Sequence, residues 1–114
     1  MAKVIITERL KEEIYKQFKT KSTEIFELMY SLSENPHKGK PLGNVSSLVI
    51  KEIKYENCRF YFITDGFKIK MLQKEELSDL VIKFVRMSDK KTQQKTIDEI
   101  KNILRKLGEE GFQR

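Results

Sequence analysis

Three short β-rich runs stand almost end to end in the middle of this chain, at roughly residues 47–55, 58–64 and 67–72. Tyr55-Glu56-Asn57 separates the first two, and Asp65-Gly66, a tight-turn dipeptide, separates the second and third. Links this short join only antiparallel neighbours, because a parallel crossover needs a dozen or more residues. A further apolar run, Leu80-Val81-Ile82-Lys83-Phe84-Val85, follows the polar segment Gln73–Asp79. The centre of the chain therefore predicts an antiparallel meander of four strands.

What flanks the meander is helical. Lys3-Val4-Ile5-Ile6-Thr7 reads as a short strand, and Thr7 is placed to cap the helix that follows. Leu10, Ile14 and Phe18 recur at helical spacing and predict a helix over about residues 8–19. A second helix starts at Ser22 or Thr23, buries Ile25, Leu28, Met29 and Leu32, and closes at Asn35-Pro36. Pro36 to Gly43, with two prolines and two glycines, reads as a loop. Near the C-terminus, Thr96-Ile97-Asp98-Glu99 has capping-box spacing, Ile97, Ile100, Leu104 and Leu107 form a stripe, and Gly108 sits where a helix stops. The expected fold is α+β: an N-terminal strand and helical hairpin, an antiparallel sheet, and a C-terminal helix. Helices are expected on one face of the sheet, leaving the other partly open.

A chain of 114 residues suits one domain, taken as residues 1–114. No run approaches the ~20 apolar residues of a membrane span, and the N-terminal apolar stretch is too short for a secretory signal. One cysteine, Cys58, and one histidine, His37, leave no internal disulfide and little material for a zinc site. The expectation is a cytoplasmic protein with no membrane, metal or other cofactor.

The net charge of +6 is unevenly placed. Residues 36–54 carry an excess of +3 and residues 83–95 an excess of +4, while residues 1–34 and 96–114 each balance. Two arrangements are open. The segments meet in a phosphate-attracting surface, or each lysine is simply solvated and Arg59 pairs with Glu52. Hairpin pairing would set Arg59 near the end of the strand bearing Lys54, so a cluster of Lys54, Arg59, Arg86, Lys90 and Lys91 is geometrically possible. No Gly-rich phosphate loop, HExxH or GxSxG is present. His37 stands alone in its loop, and Cys58 reads as a small packed residue.

The stretch from Ile50 to Phe62 resembles the E-L-R … Y-R-x-x-Y core of the RelE/ParE toxin superfamily. Leu32-Ser33-Glu34-Asn35-Pro36 and Gly39-Lys40-Pro41-Leu42 are similar to its L-x-x-N-P … G-K-x-L loop. Phe84, Lys90-Lys91-Thr92-Gln93 and Lys95-Thr96 resemble the F-x-K-K-T-Q-K-T-P signature of its phage-type HigB branch. The matches run in order over about residues 25–105. The chain departs from the pattern at Cys58, where the family has an aromatic residue, and at Ile97, where the branch has proline. Gln73–Leu80 reads as an insertion beside the presumed site.

The resemblance implies the toxin of a type II toxin–antitoxin pair: a metal-independent mRNA endoribonuclease, acting on or off the ribosome and masked by a cognate antitoxin. It aligns Lys54 with the arginine of E-L-R, Arg59 with that of Y-R, and Lys90-Lys91 with the K-K pair. Arg59, with Arg86 assisting, would clamp the pentavalent phosphate. Lys54 or one of Lys90 and Lys91 would transfer protons. Lys38, Lys40, Lys51, Lys83, Gln94 and Lys95 would hold RNA, and Tyr55 or Tyr61 would stack on bases. Two alternatives share the fold: a ParE-like inhibitor of DNA gyrase that acts by binding, and a non-catalytic RNA-binding member.

Overall fold

The computed structural model describes residues 1–112. Its elements are β1 (Lys3–Ile6), α1 (Glu8–Phe18), α2 (Ser22–Tyr30), β2 (Lys40–Val45), β3 (Leu48–Tyr55), β4 (Cys58–Asp65), α3 (Gly66–Met71), β5 (Val81–Ser88) and α4 (Gln93–Leu107). The fold is α+β, as expected, around a five-stranded sheet of order β1-β5-β4-β3-β2. β2 to β5 are antiparallel neighbours, and β1 lies parallel to β5, which makes the sheet mixed.

The helical hairpin forms for the reasons its sequence gives. Thr7 accepts a hydrogen bond from the Leu10 amide at 3.3 Å, capping α1. Leu10 and Ile14 are fully buried, and the Ser22 hydroxyl donates to the Ile14 carbonyl at 3.2 Å, tying the start of α2 to α1. Ile25, Met29 and Leu32 complete the buried stripe and meet Ile53, Phe60, Phe62, Ile82 and Phe84 of the sheet. Each such side chain contributes roughly 1.5–3 kcal/mol through burial.

Three expectations change. Residues 67–72 are not a strand: Asp65 turns its carboxylate back to accept from the Lys68 amide at 3.0 Å, so Asp65-Gly66 opens the short helix α3 instead of a hairpin. The missing strand of the meander is supplied by β2, which takes up the second half of the expected loop. Pro41 is tolerated there because β2 pairs only with β3 and is an edge strand. α4 begins at Gln93, not at Thr96, whose hydroxyl donates to the Thr92 carbonyl inside the first turn. Its C-terminal stop stands, with Gly108 at φ 65° and its amide on the Leu104 carbonyl.

The largest correction concerns the open face. α4 packs across it, and Ile97, Ile100 and Leu104 join Ile50, Tyr61, Ile63, Val85 and Phe112 in a second core. A bulge helps: Tyr61 pairs with Arg86 and Phe62 with Phe84, so Val85 is the extra residue in β5. The sheet is therefore sandwiched, and what stays open is one of its ends. The segment Gln73–Leu80 lies at the other end. It precedes β5 and buries Leu77 and Leu80 in the first core, so it is not beside the presumed site.

Candidate functional site

At the open end, the β3–β4 hairpin aligns Lys54 with Arg59, and Arg59 in turn aligns with Ser88 near the end of β5. The turn between β3 and β4 and the loop after β5 thus face one opening. A depression of about 350 Å³ is lined by Lys54, Glu56, Asn57, Arg59, Asp89, Lys90 and Lys91. A neighbouring one of about 490 Å³ shares Lys54 and adds Lys38 and Lys40. Six cations from three separate segments meet there, and the two basic stretches of the sequence come together. Gly39 brings the Lys38–Lys40 segment so close to the sheet that a Cβ would stand 2.8 Å from the Phe62 ring, at φ 110°.

The loop carrying Lys90 and Lys91 is held at both ends. Ser88 donates its hydroxyl to the Asp89 carbonyl at 2.9 Å and lies 2.7 Å from the Tyr61 hydroxyl, which therefore donates to it. The Asp89 carboxylate accepts from the Thr92 amide at 2.9 Å and from its hydroxyl at 3.0 Å. These bonds hold the Asp89 carboxyl below its ordinary range.

Arg59 lines the opening from a largely buried position, with its side chain 11% exposed. Its Nε lies 3.6 Å from Oε2 of Glu52, a carboxylate buried beneath it. Gln93, at the start of α4, donates to the same oxygen at 3.4 Å. The pair is loosely made: Arg59 Nε and Glu52 Oε1 are both buried with no hydrogen-bond partner among the described residues. The guanidinium keeps bonding capacity for an oxyanion.

Other residues expected at the site are elsewhere. Arg86 is buried: its Nε is 2.6 Å from Glu99, an Nη donates to the Val85 carbonyl at 2.8 Å, and the guanidinium sits 5.1 Å from the Phe112 ring centre. It ties α4 and the C-terminal turn to the sheet and does not line the depression. Lys51 is buried on the hairpin face, donating to the His37 carbonyl at 3.0 Å, and burial lowers its pKa. It has no access to RNA. Tyr61 is fully buried beneath α4, and burial raises its phenol pKa, so no base can stack on it. Tyr55 is half-buried, edge-on to Phe18, with its hydroxyl bonded to Glu24 on α2. Lys83 lies five residues before Ser88 on β5, roughly 16 Å away at strand spacing. Gln94 and Lys95 are exposed on the first turn of α4, and Gln94 donates to Asp98 at 3.0 Å.

Glu56, Asn57 and Asp89 also line the depression, and residue type alone did not mark them out. The signal was their place in the hairpin turn and in the loop beside Lys90, which puts them wherever Lys54 and Arg59 go. Cys58 is buried next to them, and burial pushes its thiol up to about 11, unsuited to a nucleophile near neutral pH. Among the described residues, no group of three or more His, Cys, Asp or Glu side chains is arranged to hold a metal ion, and no helix is long and apolar enough to cross a membrane.

The fold and the opening define an α+β domain with a cationic depression at one end of its sheet. Comparison of the chain with protein-family models, curated proteins and solved structures finds no match.

Proposed function

We propose that the chain is a metal-independent endoribonuclease, the toxin of a type II toxin–antitoxin pair, which binds single-stranded mRNA across the cationic opening and is neutralised by a protein that covers it. The observation that supports this reading is the convergence of Lys54, Arg59, Lys90 and Lys91 on one depression, with Lys38 and Lys40 beside it. In this reading Arg59 faces the scissile phosphate and stabilises the charge of its pentavalent state. One of the surrounding groups takes the 2′-OH proton as the 2′-oxygen attacks phosphorus. Another returns a proton to the departing 5′-oxygen. The products are a 2′,3′-cyclic phosphate and a 5′-hydroxyl.

The test is cleavage of single-stranded RNA by the purified protein, with product ends identified, alongside growth on expression. Lys90→Ala/Lys91→Ala is expected to lower cleavage by about 100-fold or more and to relieve growth arrest while leaving the thermal midpoint unchanged. A folded double variant as active as the parent would overturn the assignment of these lysines.

A second reading, RNA binding without cleavage, draws on the Glu52–Arg59 contact, which offsets part of the charge a phosphate clamp needs. It predicts salt-sensitive affinity and intact RNA.

A further inference from the structure

Among the apolar side chains of the hairpin face lies a buried lysine that the reading above does not use. Lys51, 4% exposed, sits in β3 between Pro41 of β2 and Phe62 of β4. Its ammonium stands 5.9 Å from the centre of the Phe62 ring and takes part in none of the ion pairs among the described residues. A buried cation without a carboxylate costs stability, and a methionine would occupy similar space without that cost. What the lysine supplies instead is one directed bond, from Nζ to the His37 carbonyl at 3.0 Å.

That bond falls at the root of the segment carrying Lys38 and Lys40. Pro36 is buried just before it. The exposed His37 ring meets the Ile69 carbonyl of α3 through Nε2 at 3.1 Å, so one residue is tied to α3 by its ring and to β3 by its carbonyl. Gly39 then lies against the Phe62 ring, the same ring over which Lys51 stands. Lys40 pairs with Glu52 of β3. Between these anchors Lys38 and Lys40 stay exposed and line the depression they share with Lys54.

We propose that Lys51 is a positioning residue for RNA: it does not touch the nucleic acid, and through the His37 carbonyl it holds Lys38 and Lys40 where they meet backbone phosphates beside Lys54. The inference rests on the RNA-binding reading above and deepens it, because it makes one wall of the opening an arm ordered before RNA arrives. Lysines already held in place lose less freedom on binding than lysines the ligand must order. The signature of such a residue is affinity lost without any loss of phosphate contacts.

The experiment pairs limited trypsin digestion of the free protein with fluorescence anisotropy on a labelled 2′-O-methyl uridine hexamer, which binds but cannot be cut by 2′-OH attack. Lys51→Met is expected to speed cleavage of the Lys38–Gly39 bond roughly fivefold, the scale of one hydrogen bond. Cleavage after Lys106, on α4, should keep its parental rate, which separates a loosened arm from general unfolding. The same variant is expected to weaken the hexamer about fivefold, with the slope of log affinity against log salt unchanged. Lys51→Gln, polar but too short to reach the carbonyl, should do the same. Lys38→Ala/Lys40→Ala removes the contacts themselves and should lower that slope by about 1.4. Added to it, Lys51→Met should weaken binding no further. Parental trypsin resistance or parental affinity in both Lys51 variants overturns the proposal, as does a weakening that persists without Lys38 and Lys40. A fall in the salt slope of either Lys51 variant overturns it too, because Lys51 would then touch phosphate itself. If the parent binds no hexamer at low salt, the RNA-binding reading falls, and the trypsin measurement alone decides whether Lys51 holds the arm.

Discussion

On the hairpin face of the sheet, Phe60, Phe62, Ile82 and Phe84 meet Leu10, Ile14, Ile25 and Met29, and among the described residues Lys51 is the one charged group buried with them. On the α4 face, Tyr61, Ile63 and Val85 share their cover with the buried Glu52, Arg86 and Ser88 and with the largely buried Arg59. The first face is held by apolar area and aromatic contact, such as Phe62 against Phe84 at 4.9 Å between ring centres. The second is held partly by directional bonds, which fix α4 and the loop before it at a defined position above the opening. Apolar packing supplies stability on one side. On the other, polar pairing trades some stability for placement of the cations.

The contrast can be broken most forcefully at Phe84, fully buried on the hairpin face. Phe84→Ala is expected to cost about 3–5 kcal/mol in denaturant unfolding, and at a denaturant-free, low temperature the folded fraction should bind RNA as before. A loss of binding by the folded fraction would mean that the apolar packing of the hairpin face also shapes the opening. Next in size is Arg59→Ala, which leaves Glu52 buried without its cation and is expected to cost about 2–3 kcal/mol, toward the lower end for a broken buried pair because the opening admits water. Glu52→Gln/Arg59→Ala should recover at least half of that loss. If it recovers nothing, the contact at 3.6 Å does not tie the two groups energetically.

The smallest effect is set by pH at Cys58. A thiol whose pKa is about 11 in the folded protein and about 9 when unfolded favours folding while it is protonated in both states. That contribution is whole below about pH 9 and is lost as pH rises toward 11, where the unfolded chain has already released the proton. Unfolding free energy measured from pH 8 to 11 should therefore fall less steeply in Cys58→Ala than in the parent. Equal slopes would place the thiol in contact with water.

The elements whose periodicity is set by burial were legible in the sequence. Leu10 and Ile14, and likewise Ile97, Ile100 and Leu104, repeat at helical spacing because one side of each helix is covered. Residues 67–72 were misread as a strand because Phe67, Ile69 and Met71 alternate like one. A single local bond, Asp65 to the Lys68 amide, decides for the helix, while Phe67 and Met71 stay exposed. Of the site, the pairing of Lys54 with Arg59 followed from hairpin geometry. Which face each cation would occupy, and what would cover it, did not. Strand parity assigns Lys51 and Tyr61 to opposite faces, but only the packing of both helix layers reveals that each is sealed. Arg86 was lost to the site through Glu99, a partner on α4 that no local pattern links to it.

The parallel pairing of β1 with β5, Lys3 against Val81, sets an order in time. The N-terminal strand and its helices have no sheet edge to join until almost eighty residues have followed, and contacts this distant in sequence form slowly. Synthesis runs in the same direction, so the β2–β4 hairpins leave the ribosome well before Lys90 and Lys91. A nascent chain thus lacks two of the six cations of its opening until Lys90 and Lys91 have been made, and a nuclease of this design would have an incomplete RNA surface up to that point.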